Sequence, residues 1–367
     1  MQPTTAAWRA FAALAFVFVL TACGGGGGGD GGGGGGGATP TPASGATPTP
    51  GSKLFVADGT NHAIGSQINA DPSPGSFAID RLIGGPATGF DPGVAGVLSP
   101  SSLALDVQAD RLYVATQAMV GVFDQAGVAA GNVAPARAIT STITKMTNGV
   151  SSAVNVNFFR LFLDTTNDTL YVAEPDGYLH AFDMARTLNG AVPPSRTIQI
   201  DLGASTISES FGIAVDTGST GRPAANNLFV GVSGSGFAHI LIFNAQSTLN
   251  IPKAPDQTLS FSTAPTSFYL DSVNDRLYVA VSGDILVFDN ANSLTTASHP
   301  VARTILLSRV SPSGKFIFVD TTNDRLYAVG DDKLFIIPSP RTADPLTVTQ
   351  GTLLNANAHF SAVVAKP

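Results

Sequence analysis

Three stretches of this chain spell almost the same eleven residues: "LDTTNDTLYVA" at 163–173, "LDSVNDRLYVA" at 270–280 and "VDTTNDRLYAV" at 319–329. A unit that recurs at a fixed period buries its apolar faces against neighbouring copies, so the repeat restricts the chain to a stacked array or a closed ring. Aligned on the aromatic of "LY", the units fall at Phe55, Tyr113, Tyr171, Phe229, Tyr278 and Tyr327, spaced by 58, 58, 58, 49 and 49 residues. Six such units exceed what chance provides.

Each unit carries four short apolar segments. In the fifth they are Ser267 to Leu270, Arg276 to Val281, Ile285 to Phe288 and Arg303 to Leu306. They are rich in Val, Leu, Ile, Tyr and Phe and are separated by Asn, Asp, Gly, Ser and Pro, which is the signature of strands and not of helices. No convincing run of apolar residues at helical spacing occurs. Segments such as "LYVAV" are apolar at consecutive positions, so both faces of the strand must be covered. A four-stranded sheet packed between two similar sheets has that property, and a propeller blade is such a sheet. The first unit begins at its second strand, Lys53 to Ala57, and lacks an innermost one. The segment Phe360 to Ala365 at the far end of the sequence supplies it. The expected architecture is therefore an all-β, six-bladed β-propeller over 53–367, closed by the C-terminal strand completing the first blade. An open solenoid would leave unpaired edges at both ends.

Asp106, Asp164, Asp216, Asp271 and Asp320 end the innermost strands. Asp and Asn fold back on the backbone in tight turns, so "DTTND" reads as the hairpin from first to second strand. Calcium is the alternative for these oxygens, but no EF-hand pattern surrounds them. The units also share "VFD-x-A" followed by "P-x-R-x-I", as at Val287 to Ala291 with Arg303 to Ile305, and at Ala181 to Ala185 with Pro194 to Ile198. With these motifs the chain resembles the NHL-repeat class of six-bladed propellers. The best match is the first unit, Leu54 to Ile64, where the family writes an aromatic, "VAD", two variable residues, "NH" or "NR", then Ile. Later units keep the strands but lose "AD" and "NH".

Residues 1–22 read as a secretory signal. One positive charge precedes eleven apolar residues, Ala10 to Leu20, too few for a membrane span. Leu20-Thr21-Ala22-Cys23 then looks like a bacterial lipobox, with the only cysteine of the chain as the residue to be acylated. That cysteine cannot form an intramolecular disulfide. Gly24 follows it in place of Asp, which in the lipoprotein families it resembles favours outer-membrane sorting, with the domain facing the periplasm or the surface. Residues 23–52 are the acylated Cys23 followed by a Gly-rich and then Thr-Pro-rich tether. A membrane is thus a partner through the lipid anchor. The formal net charge of −7 argues against nucleic acid as another, and the expected state is a monomer.

Propeller strands alternate in direction, so turns between second and third strands share one face with the links between blades. This loop face carries Asp58 and Asn61, Glu174 and Asp176, Gly234 to Gly236, Asp284, Asp331 and Asp332, together with the longest insertions, 84–100 and 141–157. Function in such folds sits on loops above a rigid scaffold, so these residues are the candidate binding site for a protein, peptide or glycan. As acids they could ring the channel mouth and hold a divalent cation or a basic ligand; as Asp, Asn and Gly they also suit tight turns. No G-x-S-x-G, H-E-x-x-H or phosphate loop is present, and the five histidines are scattered one to a unit, so no catalytic residue and no cofactor is expected. His180 and His239 fall in third strands and read as sheet residues. The expected function is a non-enzymatic binding or scaffold propeller of the cell envelope. The alternative is a hydrolase resembling gluconolactonase-like propellers, which hold a divalent metal in the central channel with carboxylates and asparagines.

Overall fold

The computed structural model describes residues 53–69, 79–90, 99–147, 150–218, 225–244, 252–306, 316–330, 333–340, 352–353 and 360–366. The expected signal sequence at 1–22, Cys23 with its tether, and Asp331 and Asp332 lie outside the described residues. The described residues belong to a compact unit spanning Thr49–Pro367. Among them no helix is long and apolar enough to cross a membrane.

The described residues fold into six small sheets, antiparallel within each blade, arranged as a six-bladed β-propeller. Blade one consists, from the axis outward, of Phe360–Ala365, Leu54–Asp58, Ala63–Gln67 and Arg81–Gly84. Blade two is Ser102–Asp106, Arg111–Thr116, Met119–Asp124 and Arg137–Thr140. Blade three is Arg160–Asp164, Thr169–Ala173, Tyr178–Asp183 and Arg196–Gln199. Blade four is Ile207–Val215, Leu228–Gly234, Phe237–Phe243 and Gln257–Ser260. Blade five is Pro265–Asp271, Arg276–Val281, Asp284–Asp289 and Arg303–Leu306, and blade six is Phe316–Asp320, Arg325–Gly330, Lys333–Pro338 and Thr352–Leu353. Neighbouring innermost strands touch in cyclic order, and Phe360–Ala365 packs against the innermost strands of both blade six and blade two. Closure is therefore as the sequence predicts: Phe55 pairs with Val364 and Val56 with Val363 in an antiparallel ladder.

The core lies between blades. Six apolar clusters form, one at each blade-to-blade interface. The aromatic of each "LY" motif, from Phe55 to Tyr327, is buried in a second strand and belongs to one of them. A buried side chain of that size stabilises by about 1.5–3 kcal/mol, and a sheet sandwiched on both sides buries two rows of them. This is why the second strands are apolar without alternation. Outer loops bind the blades further: Gly190–Ala191, from the turn between third and fourth strands of blade three, adds a parallel strand to the edge of blade two.

The repeated eleven residues build a turn. In blade three the Asp164 carboxylate accepts the backbone N–H groups of Thr166 and Asn167 at 2.9 and 3.0 Å and the Asn167 side-chain amide at 2.7 Å. Blades five and six repeat the pattern at Asp271 and Asp320. The last Asp of "DTTND" takes a left-handed backbone, at Asp168, Asp275 and Asp324 alike, a conformation that Asp and Asn tolerate best among residues with a Cβ. Its carbonyl oxygen then accepts the N–H of the buried alanine of "VFD-x-A", Ala185 or Ala291. The Asp of "VFD" accepts from two arginines in blade five, Arg276 of "NDRLY" at 2.5 Å and Arg303 of the fourth strand at 3.5 Å. The shared Asp and Ala positions of the unit thus tie the turns of one blade together. Each of these turn aspartates accepts three N–H donors, two on one oxygen and one on the other, which is the arrangement the turn reading expects.

Candidate functional site

The loop face differs from blade to blade, and among the described residues an added hairpin rises between blades two and three, while residues 91–98 of the other expected insertion lie outside them. There the expected insertion forms a two-stranded hairpin, Thr142–Thr147 paired with Val150–Asn155, which belongs to neither blade sheet. Thr, Val and Ile at alternating positions favour a strand, and the masking of one face by the propeller top leaves the other in water. Met146 and Val150, near the tip, are each 66 % exposed.

One ion cluster pins this hairpin to the scaffold. Lys145 Nζ lies 2.9 Å from Glu174 Oε2 and 2.8 Å from Asp176 Oδ2, and sits 4.4 Å above the Tyr178 ring. Glu174 itself is buried and also accepts the backbone N–H of Asn157, at 3.0 Å, where the hairpin rejoins blade three. Its other oxygen meets His180 Nε2 at 2.7 Å. Since an ionised carboxylate only accepts, that nitrogen carries the proton, and the opposite ring nitrogen faces the Thr197 hydroxyl at 3.0 Å. Burial alone pushes the Glu174 carboxyl up, but hydrogen bonds from His180, Lys145 and the Asn157 amide outweigh it and hold the group below its usual range. For Lys145 burial acts downward, and its two carboxylate partners reverse the effect and raise it.

The structure thus brings Glu174 and Asp176 together, as the hinge pin of a hairpin. Asp58 and Asn61 form a closed turn of their own: Asp58 accepts the amides of Thr60 and Asn61 and the Asn61 side chain at 2.6 Å, the same pattern as "DTTN". Asp284 opens the third strand of blade five opposite Val281, after a tight turn in which Ser282 and Gly283 both take positive φ. These acids belong to turns midway along the blades and none lines the central channel. Among the described residues no group of three or more His, Cys, Asp or Glu comes together in a way that could hold a metal ion.

The channel is built by the innermost strands of all six blades and encloses a cavity of about 330 Å³. Among the described residues its wall is mostly Leu, Ile, Val, Ala and Phe with a few hydroxyls, and includes no carboxylate, asparagine or histidine. A divalent cation needs oxygen or nitrogen ligands in number, so these residues do not fit the metal that a lactonase-like site would require. One charged residue, Arg160, stands in this wall.

Lys145, His180 and Arg160 escape a reading of acids and turns, yet the sequence does mark two of them. Lys145 is the sole charged residue of the 141–157 insertion, and Arg160 stands four residues before the strand-ending Asp where other units have Ser102, Gly212, Ser267 or Phe316. Of the two third-strand histidines, His180 is satisfied on both nitrogens. His239 stacks on Phe237 at 5.0 Å, and among the described residues its buried Nδ1 has no partner. No protein-family model matches the chain, and no curated protein matches it.

Proposed function

We propose that this chain is a membrane-tethered, non-enzymatic binding propeller of the bacterial cell envelope that engages a protein, peptide or glycan through its loop face. The observation that carries the reading is the hairpin 142–155, held by the Lys145, Glu174 and Asp176 cluster with two large apolar side chains presented to solvent at its tip. A rigid scaffold that supports one elaborated, partly apolar loop is the usual construction of a recognition surface. The propeller fold fits a binding or scaffold role. Tethering rests on the apolar run ending in Leu20-Thr21-Ala22-Cys23 and on the Gly-rich and Thr-Pro-rich stretch after it. Kinship with NHL repeats rests on the first unit, whose "VADGTNH" places Asp58 and Asn61 in a closed turn. The hydrolase alternative has no residue of the channel wall to support it.

The test is a photo-crosslinking residue placed at Met146, compared with one at Met184, which is equally exposed at 65 % on the opposite face. In whole cells, discrete adducts are expected from position 146 and not from 184. The same pattern from both positions, or none from either, overturns the loop-face reading. Cell fractionation with Cys23→Ser tests the anchor separately: release into the soluble fraction is expected, and unchanged membrane association refutes it.

A further inference from the structure

Arg160 is 8 % exposed, and among the described residues no carboxylate pairs with it. Among the described residues its one hydrogen bond runs from Nη1 to the Ser101 carbonyl oxygen at 2.7 Å, and its buried Nε meets no partner. Its guanidinium lies 4.3 Å over the ring of Phe159 and 5.0 Å over the ring of Phe316. Phe316 heads the innermost strand of blade six, which stands opposite blade three in a ring of six. The arginine therefore reaches across the channel at its loop-face end. From there an apolar wall runs to Val107 and Thr165, which are exposed at the opposite mouth.

A buried charge that no described carboxylate bonds directly is costly, and Glu209 offsets it only through its field. The neighbouring hydroxyls are engaged with backbone: Ser102 accepts the Leu161 N–H, Ser267 accepts the Ile317 N–H, and Ser361 donates to the Pro100 carbonyl oxygen. Burial pushes the guanidinium down to about 10, against the field of Glu209, so the group stays cationic at neutral pH. A cation buried at the end of an apolar tube is complementary to one kind of molecule, an anion carrying an apolar tail.

We propose that the central channel binds a small amphipathic monocarboxylate, its tail along the apolar wall and its carboxylate on the guanidinium of Arg160. A cavity of about 330 Å³ accommodates roughly ten heavy atoms at the volume share of a water molecule, about 30 Å³ each, which sets the tail at medium length. Guanidinium donors suit a carboxylate because the planar fork can offer two parallel N–H groups. The site lies inside the ring and does not include the 142–155 hairpin, so either assignment can fail without the other.

The test is calorimetric titration of the full-length protein with decanoate below its micellar concentration, with decan-1-ol as the uncharged control of equal tail. Decanoate is expected to bind one to one with a negative heat-capacity change and at least about tenfold tighter than the alcohol, a difference of about 1.4 kcal/mol. Arg160→Met is expected to erase that preference, and Arg160→Lys to retain part of it. No saturable binding, equal affinity for acid and alcohol, or an unchanged preference in Arg160→Met overturns the proposal. The comparison of acid and alcohol on the unaltered protein decides the matter even where Arg160→Met does not fold.

Discussion

If the repeated "DTTND" is architecture, then removing its first Asp should cost the same in every blade that spells it. Asp164, Asp271 and Asp320 are all buried and each accepts three N–H donors, with distances that agree between blades to within 0.2 Å. A hydrogen bond to a charged acceptor contributes about 1.5–3 kcal/mol net. The turn lies at the surface, however, and water replaces part of what Ala removes. We expect Asp320→Ala to cost about 2–4 kcal/mol, which at roughly 2 °C per kcal/mol for a domain this large lowers Tm by about 4–8 °C. Asp320→Asn keeps an oxygen for the two backbone amides and, once the Asn323 amide turns over, a partner for that side chain. Its cost should be about 1 kcal/mol. The assay is urea unfolding of the six single variants, Ala and Asn at each position, with midpoints compared at constant slope. The reasoning is refuted if the three Ala variants differ from one another by more than about 1 kcal/mol, beyond the few tenths expected of equivalent sites. It is equally refuted if millimolar calcium stabilises the unaltered protein and not the variants, because the aspartates would then be ion ligands.

Three further outcomes follow from the geometry. Glu174→Gln should destabilise the protein by about 1–3 kcal/mol at neutral pH; because the Glu174 carboxyl is held below its usual range, the contribution present above the ordinary Glu value is lost as pH falls through the lowered one, so the gap between variant and parent should close on acidification. A gap independent of pH would show that the cluster does not hold its charge. Gly231→Ala places a methyl group 2.2 Å from the Phe211 ring, an overpacking that should cost about 1–3 kcal/mol in the same urea assay; no loss would mean that the ring moves aside freely. Finally, elemental analysis of the purified protein should find less than stoichiometric divalent metal, with a chelator leaving the melting curve unchanged; one tightly held equivalent whose removal lowers Tm would reverse the choice between binding protein and hydrolase.

The parts of this protein that could be read without coordinates are those fixed by local chemistry repeated six times. Strand periodicity, the Asp and Asn turns, the unmatched first unit and the C-terminal segment that fits it all belong to that class. So do the shared letters, since the Asp of "DTTND" bonds within its own turn and the Asp of "VFD" bonds within its own blade. What the loop-face acids bond to was legible only in part. Asp58 bonds to Asn61 three residues away, a fact near in sequence, whereas Glu174 is occupied by Lys145, twenty-nine residues earlier, only because an inserted hairpin folds over the blade.

Thus the sequence by itself determined the number of blades, their strands and the way the ring closes, because each depends on short-range patterns that recur. Tertiary structure alone decided what the ring encloses. An apolar channel is made of one strand from each of six units, and Arg160 meets Phe316 across it although 156 positions separate them in the sequence. No periodicity records such a pairing, because it arises from the closing of the ring and not from any single repeat.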